Sequence, residues 1–216
     1  MQPNHMSKRY LITFEVLNAV THGLGVIGAI IAAVFLIHQS LLHHFSGYAM
    51  WALGIYIFGI ISFLLASTLF HSLIFTKAAK LFQFFDHSLI YFVILGTYTP
   101  YTWLFLHNAL GFTIWGTLAF LTVAGIIYDL FFVGRFKWLS VTIYLVMGWM
   151  IILVVPMLWT AIPHSAFWLL FAGGITYSVG TIFYMLPKIP MGHVWWHLFV
   201  LVATGLMFAS IYITLF

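Results

Sequence analysis

The stretch HVWWHLFVLVATGLMFASIYITL, residues 193–215, decides the fold. It contains no Asp, Glu, Lys or Arg, and about 20 mainly apolar residues in a helix are what crossing the hydrocarbon core of a bilayer requires. Its first turn holds His193 and His197. Residues four apart stand one above the other on the same helix face, so both imidazoles can point at one spot and hold one ion. A pair of ligands is not a site, and the other members have to come from other segments.

Working outward, the composition sets the class. With 64% hydrophobic and 5% charged residues and a mean hydropathy of +1.14, the chain lies far outside the soluble range. The same length rule yields seven candidate spans, roughly Glu15–Ile37, Tyr48–Leu73, Phe82–Leu106, Gly111–Phe132, Leu139–Trp159, Phe167–Leu186 and His193–Leu215. Connections are short, without linker or low-complexity segment, so residues 1–216 read as one domain: an all-α membrane protein, a seven-transmembrane helix bundle. The N-terminal segment Met1–Tyr10 is polar, and the run after it carries Glu15, Asn18 and His22 with no small-residue cleavage site. It reads as a retained first span and not as a removed signal peptide.

The seven Lys and Arg are too few for a nucleic-acid surface, but their positions are informative. Lys8 and Arg9 precede span one, Lys77 and Lys80 lie between spans two and three, Arg135 and Lys137 between four and five, and Lys188 between six and seven. The remaining connections have none. By the positive-inside rule the N-terminus is cytoplasmic and, with an odd number of spans, the C-terminus lies outside. Tyr48, Trp51, Trp103, Trp159 and Trp168 then form an outer aromatic belt, and Trp138, Trp195 and Trp196 an inner one. Gly25, Ala29 and Ala33 form a small-residue stripe expected to let helices approach closely, as do Gly174 and Ser178. Pro100 and Pro156 are expected to kink or end spans three and five.

Topology supplies what spacing cannot. Span two ends near His71, span three begins near Asp86, and span seven begins with His193 and His197, all within about two turns of the inner boundary at 1.5 Å per residue. Three neutral imidazoles with one open position match a catalytic zinc site, in which the metal activates water and polarises a carbonyl. Asp86 is then either a fourth ligand or, the favoured role, a carboxylate that orients water and accepts its proton. The zincin pattern is absent, since Val194, Trp195 and Trp196 fill the His pair and no Glu stands there. Ser67, four residues before His71, can hydrogen-bond the water or a substrate oxygen; the alternative is a helix-packing serine. With no Cys, any metal site must use His, Asp or Glu.

Other polar residues have blander readings. His38, His43, His44, His107 and His164 fall in outer connections and lack convergent spacing. Glu15, Asn18 and His22 lie near one face of span one, either lining the same cavity or hydrogen-bonding across helices. Asp129 is expected to pair with Arg135 or Lys137, and His87 to point away from Asp86's site.

Taken together, Glu15…Asn18…Thr21-His22-Gly23-Leu24-Gly25, Ser67-xxx-His71, Asp86 with Gly96-Thr97-Tyr98-Thr99-Pro100, Tyr144…Met147-Gly148-Trp149, Gly173-Gly174…Tyr177…Gly180 and His193…His197 resemble the bacterial hemolysin III proteins. That family is related to the progestin and adipoQ receptors and, more distantly, to the alkaline ceramidases. The resemblance implies a zinc held by His71, His193 and His197, with Ser67 and Asp86 at the remaining polar positions, in a multi-pass protein of the bacterial cell membrane. It implies ceramidase-like hydrolysis of a membrane lipid amide or ester. The alternatives are a hemolysin-type channel or pore, or a ligand-sensing protein, each with a structural zinc.

Overall fold

The computed structural model describes residues 7–186 and 188–216; Met1–Met6, most of the expected polar N-terminal segment, and Pro187 lie outside the described residues. The described chain is helical, with no strand among the described residues. Its elements are α1 (Lys8–Leu42), α2 (Gly47–Ser72), α3 (Ala79–Pro100), α4 (Ala109–Phe132), α5 (Lys137–Trp149), α6 (Val155–Ala161), α7 (His164–Met185) and α8 (Gly192–Leu215). A π-helical turn, Tyr101–Phe105, extends α3, and a 3-10 segment, Met150–Val154, joins α5 to α6.

Short polar caps set several starts. Ser7, Ser46 and Asn108 accept from Tyr10 N, Ala49 N and Gly111 N, which serves backbone donors that the first helical turn leaves free. Gly134, at φ +70°, makes the turn between α4 and α5 in a conformation that a side chain would oppose.

Among the described residues, six helical segments are long and apolar enough to cross a membrane: α1, α2, α4, the broken run Lys137–Ala161, α7 and α8. Their outer faces are hydrocarbon, as Ile31 (65% exposed), Phe120 (71%) and Phe131 (73%) show. The polar side chains Asn18, His22, Ser67, His71, Asp86, Asp129 and His197 are all buried. Apolar outside and polar inside is the ordering a lipid solvent imposes. The chain is a multi-pass membrane protein. α3 is not among the six, because Lys80, Gln83, Asp86 and His87 crowd its first half. It packs instead against α2, α4 and α5, with Tyr91, Val93, Leu95 and Tyr98 in the core.

In α1 the stripe gives close approach at Gly25, where a Cβ would lie 2.4 Å from Leu201, and Ala33 is buried. Gly28 has open space before it, and Ala29 and Ala33 line a groove of about 380 Å³ between α1, α2 and α8. Trp196 does not belong to an inner belt: it is 9% exposed and sits in the core. Gly180, where a Cβ would meet Phe199 and Trp196 at 2.8 and 3.0 Å, admits it between α7 and α8. Of the two expectations for Pro156, a kink and not an end is found: the 3-10 segment Met150–Val154 breaks the span just before it, and the proline stands in the first turn of α6, where its missing N–H costs nothing.

The 3-10 break in the fifth span leaves backbone groups to satisfy, and Tyr98 satisfies two of them. Its hydroxyl donates to Gly148 O and accepts from Ile151 N, both at 2.7 Å. Tyr98→Phe is expected to cost about 1–2 kcal/mol, read as a lower unfolding midpoint in mild detergent. An unchanged midpoint would show that the break is held by other contacts.

Candidate metal centre

His71 lies in the last turn of α2, and His193 and His197 in the first two turns of α8. The two helix ends meet so that one ligand atom from each ring lies within 4.8 Å of the other two. Ring centroids are 5.0 Å apart for His71–His193 and His71–His197, and 4.6 Å for His193–His197.

Two of the three outer nitrogens are spoken for. His71 Nδ1 donates to Glu15 Oε2 at 2.7 Å, and His197 Nδ1 donates to the Asn18 carbonyl at 3.2 Å. Each bond fixes the tautomer, so that Nε2 carries the free lone pair. The inner nitrogens have no such partner: His71 Nε2 and His193 Nε2 are fully buried without a hydrogen bond. Buried polar atoms are seldom left so, and a cation shared by lone pairs meets the need. This donor set fits a metal ion.

Asp86 is 7% exposed, its Oδ2 3.6 Å from His87 Nδ1. It is not within the cluster of three ligand atoms, but it lines the same small cavity, about 30 Å³, as His22, His193 and His197. That volume has room for a water molecule. Ser67 is fully buried one turn from His71, and its Oγ has no hydrogen-bond partner. It does not line this cavity.

α1 contributes more than its spacing revealed. Glu15 orients His71, Asn18 orients His197 through its carbonyl, and His22 stacks on His197 with centroids 3.6 Å apart and planes 11° from parallel. Two parallel stacked rings cannot both direct nitrogens at one ion, so His22 is a wall of the site and not a ligand. The signal in the sequence was the shared face of the three residues; which neighbour each met was not in it.

Two expectations are corrected. His87 lines the same cavity as Asp86, because its ring turns back so that Nδ1 donates to Gln83 O at 3.0 Å. Asp129 is paired with neither Arg135 nor Lys137: it accepts from Ser88 Oγ at 3.2 Å, while those cations lie over Phe136 and Tyr184. Ser88 reaches it because α3 packs directly on α4. The outer histidines join no metal grouping among the described residues, and His164 stacks on Trp159.

Beyond the waist formed by Phe63, Ile90, Tyr144, Thr181 and Trp196, which both cavities share, lies a second one of about 130 Å³. Its walls are almost wholly apolar, from Val93, Leu170, Val200 and Met207 among others.

Fold and cluster thus define a multi-pass helical membrane protein with a three-histidine centre that can hold a metal ion. Comparison with known proteins gives the family. The model of the Haemolysin-III related family matches residues 10–208, and the chain belongs to that family. It is 43% identical to Hemolysin-3 of Bacillus cereus over 90% of this chain and 88% of the relative. It is 44% identical to the Hemolysin-3 homolog of Bacillus subtilis (strain 168), over 92% and 93%. A more distant relative is the human Monocyte to macrophage differentiation factor, 27% identical over 90% of this chain and 82% of the relative.

Glu15→Gln should raise the dissociation constant of the metal about 10- to 100-fold while leaving the three ligands in place. Chelator competition on purified protein measures it. An unchanged constant would mean that the carboxylate does not orient His71.

Proposed function

We propose that this protein is a zinc-dependent hydrolase of membrane lipid amides or esters. The observation that carries the reading is the shared waist: a cavity walled by His193, His197 and Asp86 adjoins, across five side chains common to both, an apolar cavity suited to an alkyl chain. A lipid with its chain in the apolar cavity brings its carbonyl to the histidines.

Three histidines and no thiolate suit zinc, which His71, His193 and His197 would hold. When bound, zinc supplies a Lewis acid for the carbonyl and lowers the pKa of coordinated water. The residues do the rest. Asp86 takes the proton of the attacking water at its carboxylate and returns it to the leaving amine or alcohol. Ser67 Oγ, buried and unpartnered one turn from His71 but lining neither cavity, stands behind the ligand and takes no part in the reaction. Phe63 and Trp196 exclude bulk water at the waist.

The topology belongs to the same reading. α3 is the seventh crossing, shielded by its neighbours from lipid, and the basic residues place the N-terminus in the cytoplasm and the C-terminus outside, in a bacterial cell membrane. The name Hemolysin-3 of the Bacillus cereus relative favours a second reading, a lytic pore with structural zinc. A pore needs a continuous polar path, and the apolar cavity beyond the waist offers none.

Asp86→Asn is expected to keep about one zinc per chain and to lose 10²- to 10⁴-fold in turnover of a lipid amide, whereas His193→Ala loses the metal. Metal analysis beside a product assay decides it, and loss of zinc in the Asn variant would make Asp86 a ligand and not the base. Because the chain has no Cys, single cysteines report sidedness: Lys77→Cys should react with an impermeant maleimide only from the cytoplasmic side, and His107→Cys only from outside.

A further inference from the structure

One cation shares the cavity with the histidines. Lys137, the first residue of α5, lines it with Asp86, Ser140, Tyr184 and His193; none of the other Lys and Arg does. Its Nζ lies over the Tyr184 ring, 5.3 Å from the centroid, and Tyr184 packs on His193 with centroids 5.5 Å apart. The lysine is exposed and stands at the rim of the cavity, with its ammonium over Tyr184. The acids are engaged elsewhere: Glu15 with His71, Asp86 nearest His87, and Asp129 with Ser88. Among the described residues no carboxylate oxygen lies within 4.0 Å of Lys137 Nζ, since both ion pairs found there are between a histidine and an acid.

A molecule that spans the waist has its chain on the apolar side, its linkage near His193 and its polar end against Lys137 and the Ser140 hydroxyl. Asp86 repels a negative charge placed beside it, and Lys137 is the one Lys or Arg lining the cavity that can meet an anion there. We propose that Lys137 makes the site selective for lipids whose polar end, beyond the amide or ester, carries a carboxylate or phosphate. The inference rests on the hydrolase reading for the fate of the lipid but not for its binding.

The experiment measures equilibrium binding of radiolabelled amphiphiles to the zinc-loaded protein in nanodiscs of neutral lipid. One pair is N-dodecanoylglycine and N-dodecanoylglycinamide; the other is N-dodecanoylethanolamine phosphate and N-dodecanoylethanolamine. The wild type should prefer the anionic member of at least one pair by about tenfold, the size of one charge-assisted contact, and which pair shows it separates carboxylate from phosphate recognition. Lys137→Gln should abolish the preference and Lys137→Arg retain it, with zinc content unchanged in both. No preference in the wild type, no binding of any probe, or a preference that survives Lys137→Gln overturns the proposal; survival would mean that the metal holds the anion. Release of glycine or ethanolamine is followed in the same samples. A lysine-dependent preference without release removes the hydrolase reading and keeps this one, and equal cleavage of charged and neutral members does the reverse.

Discussion

Burying imidazoles and a carboxylate away from bulk water is the constraint on which this bundle depends. In hydrocarbon each unsatisfied polar group costs several kcal/mol, so such groups must be turned inward and matched there. The 2.7 Å contact between Glu15 and His71 does this for α1 and α2, and the Asn18 carbonyl does it for α1 and α8. Those two contacts also aim the opposite nitrogens at a common point. The unmatched lone pairs of His71 and His193 are then a demand created by the fold, and an ion answers it.

Around that point the molecule is divided by polarity along its depth. The inner cavity holds the titratable side chains, and the adjoining one is hydrocarbon. Trp196 stands at their boundary because a Gly at position 180 leaves room for an indole between two helices. The same residue that faces the site on α8 is therefore also part of the wall between the two cavities. The irregular fifth span walls the apolar cavity with Gly148, Ile151 and Ile152, and Tyr98 holds its broken backbone.

Much of this was legible in the sequence because hydropathy and helix length are one-dimensional quantities. The six apolar segments follow from them, and so does the meeting of His71 with His193 and His197, since alternating direction puts the end of one span beside the start of another. What failed required rotation about a helix axis or contact between non-neighbours. Asp129 was matched to cations close in sequence, while its partner Ser88 comes from α3. His87 was placed by its angle from Asp86, but its ring folds back on Gln83 O. Glu15 was seen on a polar face, yet nothing in the spacing says that α2 presents His71 to that face. α3 blurs the span count for the opposite reason: it is the most enclosed helix, so it can carry polar residues that lipid-facing helices cannot.

α1 has 35 residues, which at about 1.5 Å each is roughly 50 Å of rod against a hydrocarbon slab of about 30 Å. Such mismatch is relieved by tilting or by protruding ends, with Lys8 and Arg9 placed to reach the headgroups. The helix that leans in response to bilayer thickness is also the one that grips His71 and His197. Membranes of different thickness therefore load the orientation of those two rings differently, through a lever about two turns above its own basic anchor.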